Sequence, residues 1–371
     1  SKGPLPEHIA FKENIEKTGR SIKAEGPSFI EQVKNDNGSK IALFTGCMVD
    51  NKLHHIGEAL IDFIPEVKGQ RLKDVPSFKR VAGGAPANVV GAVTKLGIPS
   101  KFLTKLGDDP FGDYIVEVLD NAGIDTSNIE RDKEGETALA FVSLASDGNR
   151  DFKFYRKNSA DLRYSVEDIP TDILDDCGMI HFCSVDLVES PMKEAHKKLI
   201  NMAIEQGVKV SFDPNLRFSL WDDLDKLKET VNEFLAYADI IKISDEELEF
   251  ITGYTDIKDA LDGLFANRAK YVIYTKGADG AEIYTKKGSV IGAPGYKIDV
   301  RDTTGAGDSF IGAFLYCLLN DEVENLENVD DDTLRRYLDF ANAYAANTTT
   351  KEGALAAMAD KAEMEEWIKK I

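Results

Sequence analysis

The chain has 371 residues, of which 43% are apolar and 30% charged, and it carries a net charge of −20. That length can bury a large core, and the acidic balance opposes nonspecific binding to nucleic acid or to an anionic membrane surface. No apolar run reaches the roughly 20 residues that a bilayer-spanning helix needs.

Residues 1–50 stand apart from the rest. Helix-like pieces at 8–18 and 28–35 are cut by Gly19, Gly26-Pro27 and Gly38, and an apolar run at 41–44 precedes Met48. The segment reads as an N-terminal extension, native or added, with Met48 as a natural start. It is assigned no chemistry, and its first thirty residues lack the apolar centre of a signal peptide.

From Leu53 onward, short apolar runs alternate with amphipathic stretches. Strands are predicted at 179–183, 209–212, 240–243 and 271–275, with helices at 191–206, 224–237 and 256–266. Apolar strands separated by helices make βαβ units, hence an α/β fold with a mostly parallel sheet covered on both faces. Ligands of such sheets bind at the carboxyl ends of the strands.

Two segments, within 61–81 and 137–156, are strand-rich instead. In the second, an apolar run from Thr137 to Leu144 meets the turn residues Asp147-Gly148-Asn149, and then the alternating Asp151-Phe152-Lys153-Phe154-Tyr155. That is a hairpin pattern, and these strands are expected to form a small separate sheet: a lid or an interface.

Two motifs carry chemistry. Gly83-Gly84-Ala85-Pro86-Ala87-Asn88 opens an apolar helix, and its Asn offers sugar-like hydroxyls both a donor and an acceptor. Read alone, it is equally a tight turn with a polar helix start. Asp302-Thr303-Thr304-Gly305-Ala306-Gly307-Asp308 opens another apolar helix, from Phe310. Free N–H groups at a helix start bind anions, and glycines let phosphate approach closely. A carboxylate there repels phosphate, unless it takes a proton from the hydroxyl that attacks it.

The four cysteines, Cys47, Cys177, Cys183 and Cys317, have no metal-ligand spacing and read as reduced core thiols of a cytoplasmic protein. His181 and His196 read as structural. The run Asp330-Asp331-Asp332 reads as a solvated turn and helix start.

The paired motifs, in this order and separation, resemble the PfkB (ribokinase-like) family of sugar and nucleoside kinases over roughly Leu53 to the C-terminus. Within it the chain is most similar to the bacterial fructokinases, through the stretches 56–65, 181–187 and 211–217. The resemblance implies a three-layer ribokinase-like domain over 51–371, with a central, mostly parallel sheet and a small β-sheet lid. It implies ATP-dependent phosphorylation of D-fructose, at O6, by in-line transfer with Mg²⁺ and possible K⁺ dependence. The apolar face expected on the lid suggests a homodimer through it.

Residue by residue, the resemblance makes Asp308 the general base and the amides of Gly305, Ala306 and Gly307 an anion hole. Asp62, Gly83, Gly84 and Asn88 would hold the sugar. Thr275, Lys276, Gly277 and Gly280 match a nucleotide loop, with Asn342 near the adenine. Asp302 and Thr304, with carbonyls around Thr348, Lys351 and Gly353, match a monovalent-cation site.

The family's Asn-x-x-Glu is here Ser244-Asp245-Glu246-Glu247, so Glu247 would serve Mg²⁺ through water. The same spacing is a helix capping box. Arg156 and Arg217 would reach substrate or phosphate. Three alternatives stand beside this reading. One is a 2-keto-3-deoxygluconate kinase, which needs an extra cation for its substrate's carboxylate. Another is a catalytically silent scaffold with the same fold. A Rossmann dehydrogenase lacks its G-x-G-x-x-G after the first strand.

Overall fold

The computed structural model describes residues 52–67, 69–144 and 150–370. The readings for residues 1–50, Cys47 included, and for the Asp147-Gly148-Asn149 turn lie outside the described residues.

The elements run β1 (Lys52–Ile56), β2 (Leu60–Pro65), β3 (Phe78–Gly83), α1 (Ala85–Lys95), β4 (Ser100–Gly107), α2 (Pro110–Asn121), β5 (Ile129–Asp132), β6 (Leu139–Leu144) and β7 (Arg150–Tyr155). There follow β8 (Cys177–Cys183), α3 (Pro191–Glu205), β9 (Lys209–Asp213), α4 (Leu224–Leu235), β10 (Ile240–Ser244), α5 (Asp245–Thr252), α6 (Ile257–Leu264) and β11 (Tyr271–Thr275). The last are β12 (Ala281–Thr285), β13 (Val290–Ala293), α7 (Ala306–Asn320), α8 (Asp331–Thr349) and α9 (Lys361–Ile368).

Nine strands form the main sheet in the order β13-β12-β11-β10-β9-β8-β1-β4-β5. From β11 to β5 all neighbours are parallel, while β12 and β13 close one edge antiparallel. Neighbouring residues on a strand point to opposite faces. Met179 and Ile180, Ile240 and Ile241, and Tyr271 and Val272 therefore divide between two separate cores. One core takes Val89 and Val93 of α1, Phe310 and Phe314 of α7 and Leu338 of α8. The other takes Leu199 of α3, Val231 and Phe234 of α4 and Leu248 of α5. Burial on both faces explains why the strands read as continuous apolar runs.

The helix starts follow the sequence. Ser190 caps α3 ahead of Pro191, which sits where a missing N–H costs nothing. Asp330 caps α8 by accepting from the Thr333 N–H at 2.8 Å, so the aspartate run is a helix start. From Asp308 to Leu319 every residue of α7 is buried, which is why that stretch looked uniformly apolar.

The strands expected outside the βαβ pattern form a second sheet, ordered β3-β2-β6-β7. Its aromatic side chains pack on one another, with Phe63 stacked on Phe141 at 4.6 Å between ring centroids and Phe78 edge-on to Phe141 at 5.3 Å. His181 and His196 are buried, as structural groups. His181 Nδ1 pairs with Ser211 Oγ at 2.9 Å, and His196 Nδ1 with the Met192 carbonyl at 2.8 Å. Cys177, Cys183 and Cys317 are free thiols and buried. Among the described residues, no helix is long and apolar enough to cross a membrane.

Candidate active site

Several elements meet at one cleft. Its walls include Asp62 of β2, Gly84 and Asn88 around the start of α1, Asn215 and Arg217 after β9, and Lys242 of β10. Glu58, Leu60 of β2 and Phe154 of β7 line it as well, and Thr303, Thr304, Gly305, Ala306, Gly307 and Asp308 make the far side. Asp213, which ends β9, lies behind Lys242, so the cleft opens at the carboxyl ends of parallel strands, where such sheets place ligands.

Gly84 ends the turn into α1 with φ +108°, and a Cβ there would lie 2.6 Å from the Glu58 carbonyl. Both the backbone angle and the contact exclude a side chain. Gly84→Ala is expected to cost about 3 kcal/mol, from strain and overpacking together, as a lower urea midpoint at unchanged slope. Gly83 lies against the Asp62 carboxylate but outside the cleft lining.

Asp308 occupies the first turn of α7, whose cap is Gly305. Asn88 Nδ2 donates to its Oδ2 at 2.8 Å, and Asn215 Nδ2 donates to its Oδ1 at 2.9 Å. Both carboxylate oxygens are thus aimed by neutral amides from other elements. Burial raises Asp308 above its ordinary value, although Asn88, Arg217, Lys242 and Asn215 all pull it down. A lowering would be expected from the helix start alone, and here burial outweighs it. The Ala306 amide, expected in the anion hole, donates to the Thr303 carbonyl at 3.2 Å and closes a turn instead.

Asn215 was missed as a site residue. Its signal was the Asp213-Pro214-Asn215 turn: Asn215 sits at φ +45°, a conformation asparagine tolerates, and its N–H donates to Asp213 Oδ1 at 3.1 Å. Lys242 was also missed. It is 5% exposed and its Nζ lies 3.1 Å from Asp213. Burial alone would lower its pKa, but Asp213 and then Glu247 hold it above the ordinary lysine range. Its signal was its place inside the apolar strand predicted at 240–243, in a sheet expected to be covered on both faces.

Arg156 and Arg217 part company. Arg217 is half-buried in the cleft wall, donating to the Leu216 carbonyl at 3.0 Å. Arg156 was expected at the substrate, but it is 5% exposed and lies behind the wall. Its guanidinium contacts Asp161 and Asp186 and donates to the Val185 carbonyl at 2.7 Å. Two buried carboxylates attract a guanidinium more strongly than an open cleft does.

Glu247 forms the capping box with Ser244. Its Oε2 accepts from the Ser244 N–H and Oγ at 2.9 and 2.7 Å, and its Oε1 accepts from the Leu216 N–H at 2.8 Å. Burial alone would raise its pKa, but Lys242 and these donors hold it below its ordinary value.

The nucleotide-loop residues lie outside the cleft but adjoin one another. Thr275, Lys276, Gly277 and Gly280 make the β11–β12 turn, closed by the Lys276 N–H on the Gly280 carbonyl at 2.8 Å. Lys276 pairs with Glu282. Ala281 pairs across the sheet with Ala293, whose carbonyl accepts from Asn342 Nδ2 at 3.1 Å.

The residues of the expected cation site divide. Asp302 Oδ1 accepts from the Thr304 N–H and Oγ1 at 2.9 and 2.7 Å, and Oδ2 accepts from the Gly353 N–H at 3.0 Å. The Thr348 carbonyl accepts from the Lys351 N–H at 3.3 Å, while the Lys351 side chain turns to Glu363. Among the described residues, no group of three His, Cys, Asp or Glu side chains is placed to hold a metal ion.

A cleft with carboxylate and amide side chains on one side and a glycine-rich helix start on the other suits phosphoryl transfer to an alcohol. Known proteins agree. The family model for pfkB family carbohydrate kinases matches residues 50–361. The probable fructokinase-4 of Arabidopsis thaliana is 41% identical over 316 residues, covering 84% of this chain and 95% of that protein. The fructokinase of Xylella fastidiosa with bound ATP superposes with a TM-score of 0.80 at 32% identity, covering 87% of this chain and 99% of that one. A double-mutant fructokinase of Vibrio cholerae O395, in a form with fructose, ADP and potassium ion bound, superposes at 0.77 with 31% identity, covering 86% and 99%. With the nine-stranded sheet, the second, four-stranded sheet and both glycine motifs in place, the chain belongs to the pfkB family of carbohydrate kinases.

Proposed function

We propose that this kinase transfers the γ-phosphoryl group of ATP to O6 of D-fructose, with Asp308 as general base. The observation that carries the reading is the aimed carboxylate: a buried Asp308 held by Asn88 and Asn215 beside a helix start. The names of the relatives support fructose as the acceptor. So does charge. The sugar side of the cleft carries the Asp62 carboxylate, and Arg156 is committed elsewhere, so the carboxylate of ketodeoxygluconate would be repelled there.

In the proposed mechanism, Asp62, Gly84 and Asn88 hold the hydroxyls. Asp308 accepts the O6 proton as the new P–O bond forms. Amides at the start of α7, with Arg217 and Lys242, take up charge on the phosphoryl oxygens. Mg²⁺ bound with the nucleotide would neutralise phosphate charge. Glu247 suits a role through water, because both its oxygens already accept hydrogen bonds from the protein. The turn at 275–280 and Asn342 would frame the base. Asp302, Thr304 and the carbonyls near Gly353 would take K⁺, and a second copy would meet the small sheet.

A panel of sugars with MgATP, read by ADP release with and without K⁺, tests the assignment. Fructose is expected to exceed ketodeoxygluconate in kcat/KM by at least about a hundredfold, the scale of unpaired or repelled polar groups in a buried site. Preference for the sugar acid would reverse the assignment.

A further inference from the structure

Of the four chain crossings between the main sheet and the lid, the one that enters first and the one that leaves last are fastened to one residue, Asp186, in the turn after β8. The first crossing is Gly57-Glu58-Ala59, from β1 to β2. The Glu58 N–H donates to Asp186 Oδ2 at 2.8 Å. Gly57, at φ +152°, lets this happen: a Cβ there would lie 2.6 Å from Asp186 Oδ2 and 2.5 Å from Pro86 Cγ. The last crossing leaves β7 at Arg156, which contacts Asp186 Oδ1 and Asp161 and donates to the Val185 carbonyl.

The group has three carboxyls and one guanidinium. Glu58, Asp186 and Asp161 are 2%, 0% and 1% exposed, so a full set of charges would bury an uncompensated excess of negative charge. Glu58 Oε1 accepts from the Ala85 N–H at 3.0 Å, but its buried Oε2 finds no donor. A carboxyl oxygen without a donor, beside a carboxylate, is the one that carries a proton.

We propose that Glu58 is a neutral carboxylic acid that donates a hydrogen bond to Asp186, and that Asp186, joined in this way to Glu58 and Arg156, is the positioning residue that sets the lid over the sugar. Burial and then Asp186 push the Glu58 carboxyl well above its ordinary range, with Arg156 opposing. His196 is the other titratable side chain acting on Asp186, and it is buried with its Nδ1 turned to Met192. The consequence falls on the sugar side. Glu58, Leu60, Asp62 and Phe154 all line the cleft from the crossings or the lid strands, whereas the turn at 275–280 has no part in the network. The effect on sugar binding rests on the sugar-kinase reading; the protonation of Glu58 does not.

Two measurements test this on the full-length protein. The infrared difference between the wild type and Glu58→Gln, at neutral pH in D₂O, is expected to contain the carbonyl stretch of a protonated carboxylic acid. A difference showing only a carboxylate band would overturn the neutral Glu58, whatever the enzyme phosphorylates. In Asp186→Asn, one acceptor is replaced by a donor facing donors, and the fructose KM is expected to rise about tenfold while the ATP KM changes less than twofold. Equal changes in both KM values, or none, would overturn the positioning role. If Asp186→Asn fails to fold, Arg156→Lys, which keeps the charge but loses the fork, is expected to show the same split on a smaller scale. A wild-type enzyme inactive on every sugar would instead sink the kinase assignment and leave the infrared result standing.

Discussion

Asp308→Asn is expected to lower kcat by roughly two to four orders of magnitude, the span supplied by a positioned general base, while ATP binding stays near that of the wild type. The amide is isosteric with the carboxylate and leaves the start of α7 intact, but it cannot accept the hydroxyl proton. ATP binding, followed by calorimetry beside single-turnover kinetics, separates loss of chemistry from loss of the site. A variant that still turns over would show that Asp308 is not the base. The same carboxyl sets the pH dependence. Burial raises it above the ordinary aspartate, about 3.9. A protonated acid cannot act as base, so kcat/KM should fall on the acid side through a pKa higher than that. An acid limb at or below the ordinary value would mean that another step controls the rate.

Most of the fold was legible because it rests on patterns that local sequence carries. Apolar strands at 179–183, 240–243 and 271–275, separated by capped amphipathic helices, leave few alternatives to a covered parallel sheet. The glycine motifs were legible for a similar reason: a positive φ at Gly84 and Gly305 leaves a mark in the sequence. What stayed hidden depends on partners far apart in the chain. Asn215 matters because Asp308, 93 positions later, lies across the cleft. Arg156 looked like a substrate ligand because nothing beside it in the sequence announces Asp186, 30 residues on. The place of Asp308 at a helix start could be read in advance, but charge pairing decided where Arg156 and Lys242 lie.

Lys242→Met is the second large effect. The acidic chain needs a local cation where it meets phosphate, and Lys242 lines the cleft beside the start of α7, with Gly307 so close that an added Cβ would sit 3.5 Å from its Nζ. Removing a preorganised charge of this kind is expected to lower kcat/KM for ATP by roughly a hundredfold or more. The same substitution strands Asp213, which is 0% exposed and which burial already raises to about 7 against the pull of Lys242; it then takes up a proton, and the buried, poorly satisfied carboxyl costs about 1–3 kcal/mol of stability. The two effects can be pulled apart. In the double variant Lys242→Met with Asp213→Asn, the titrating carboxyl is gone, and the amide oxygen can still accept from the Asn215 N–H that sets the turn. Stability in urea should return most of the way, while turnover should not. Recovery of both would make Lys242 no more than a counter-ion for Asp213. Recovery of stability alone would place its charge in the phosphoryl-transfer step, acting on the same oxygens as the α7 amides.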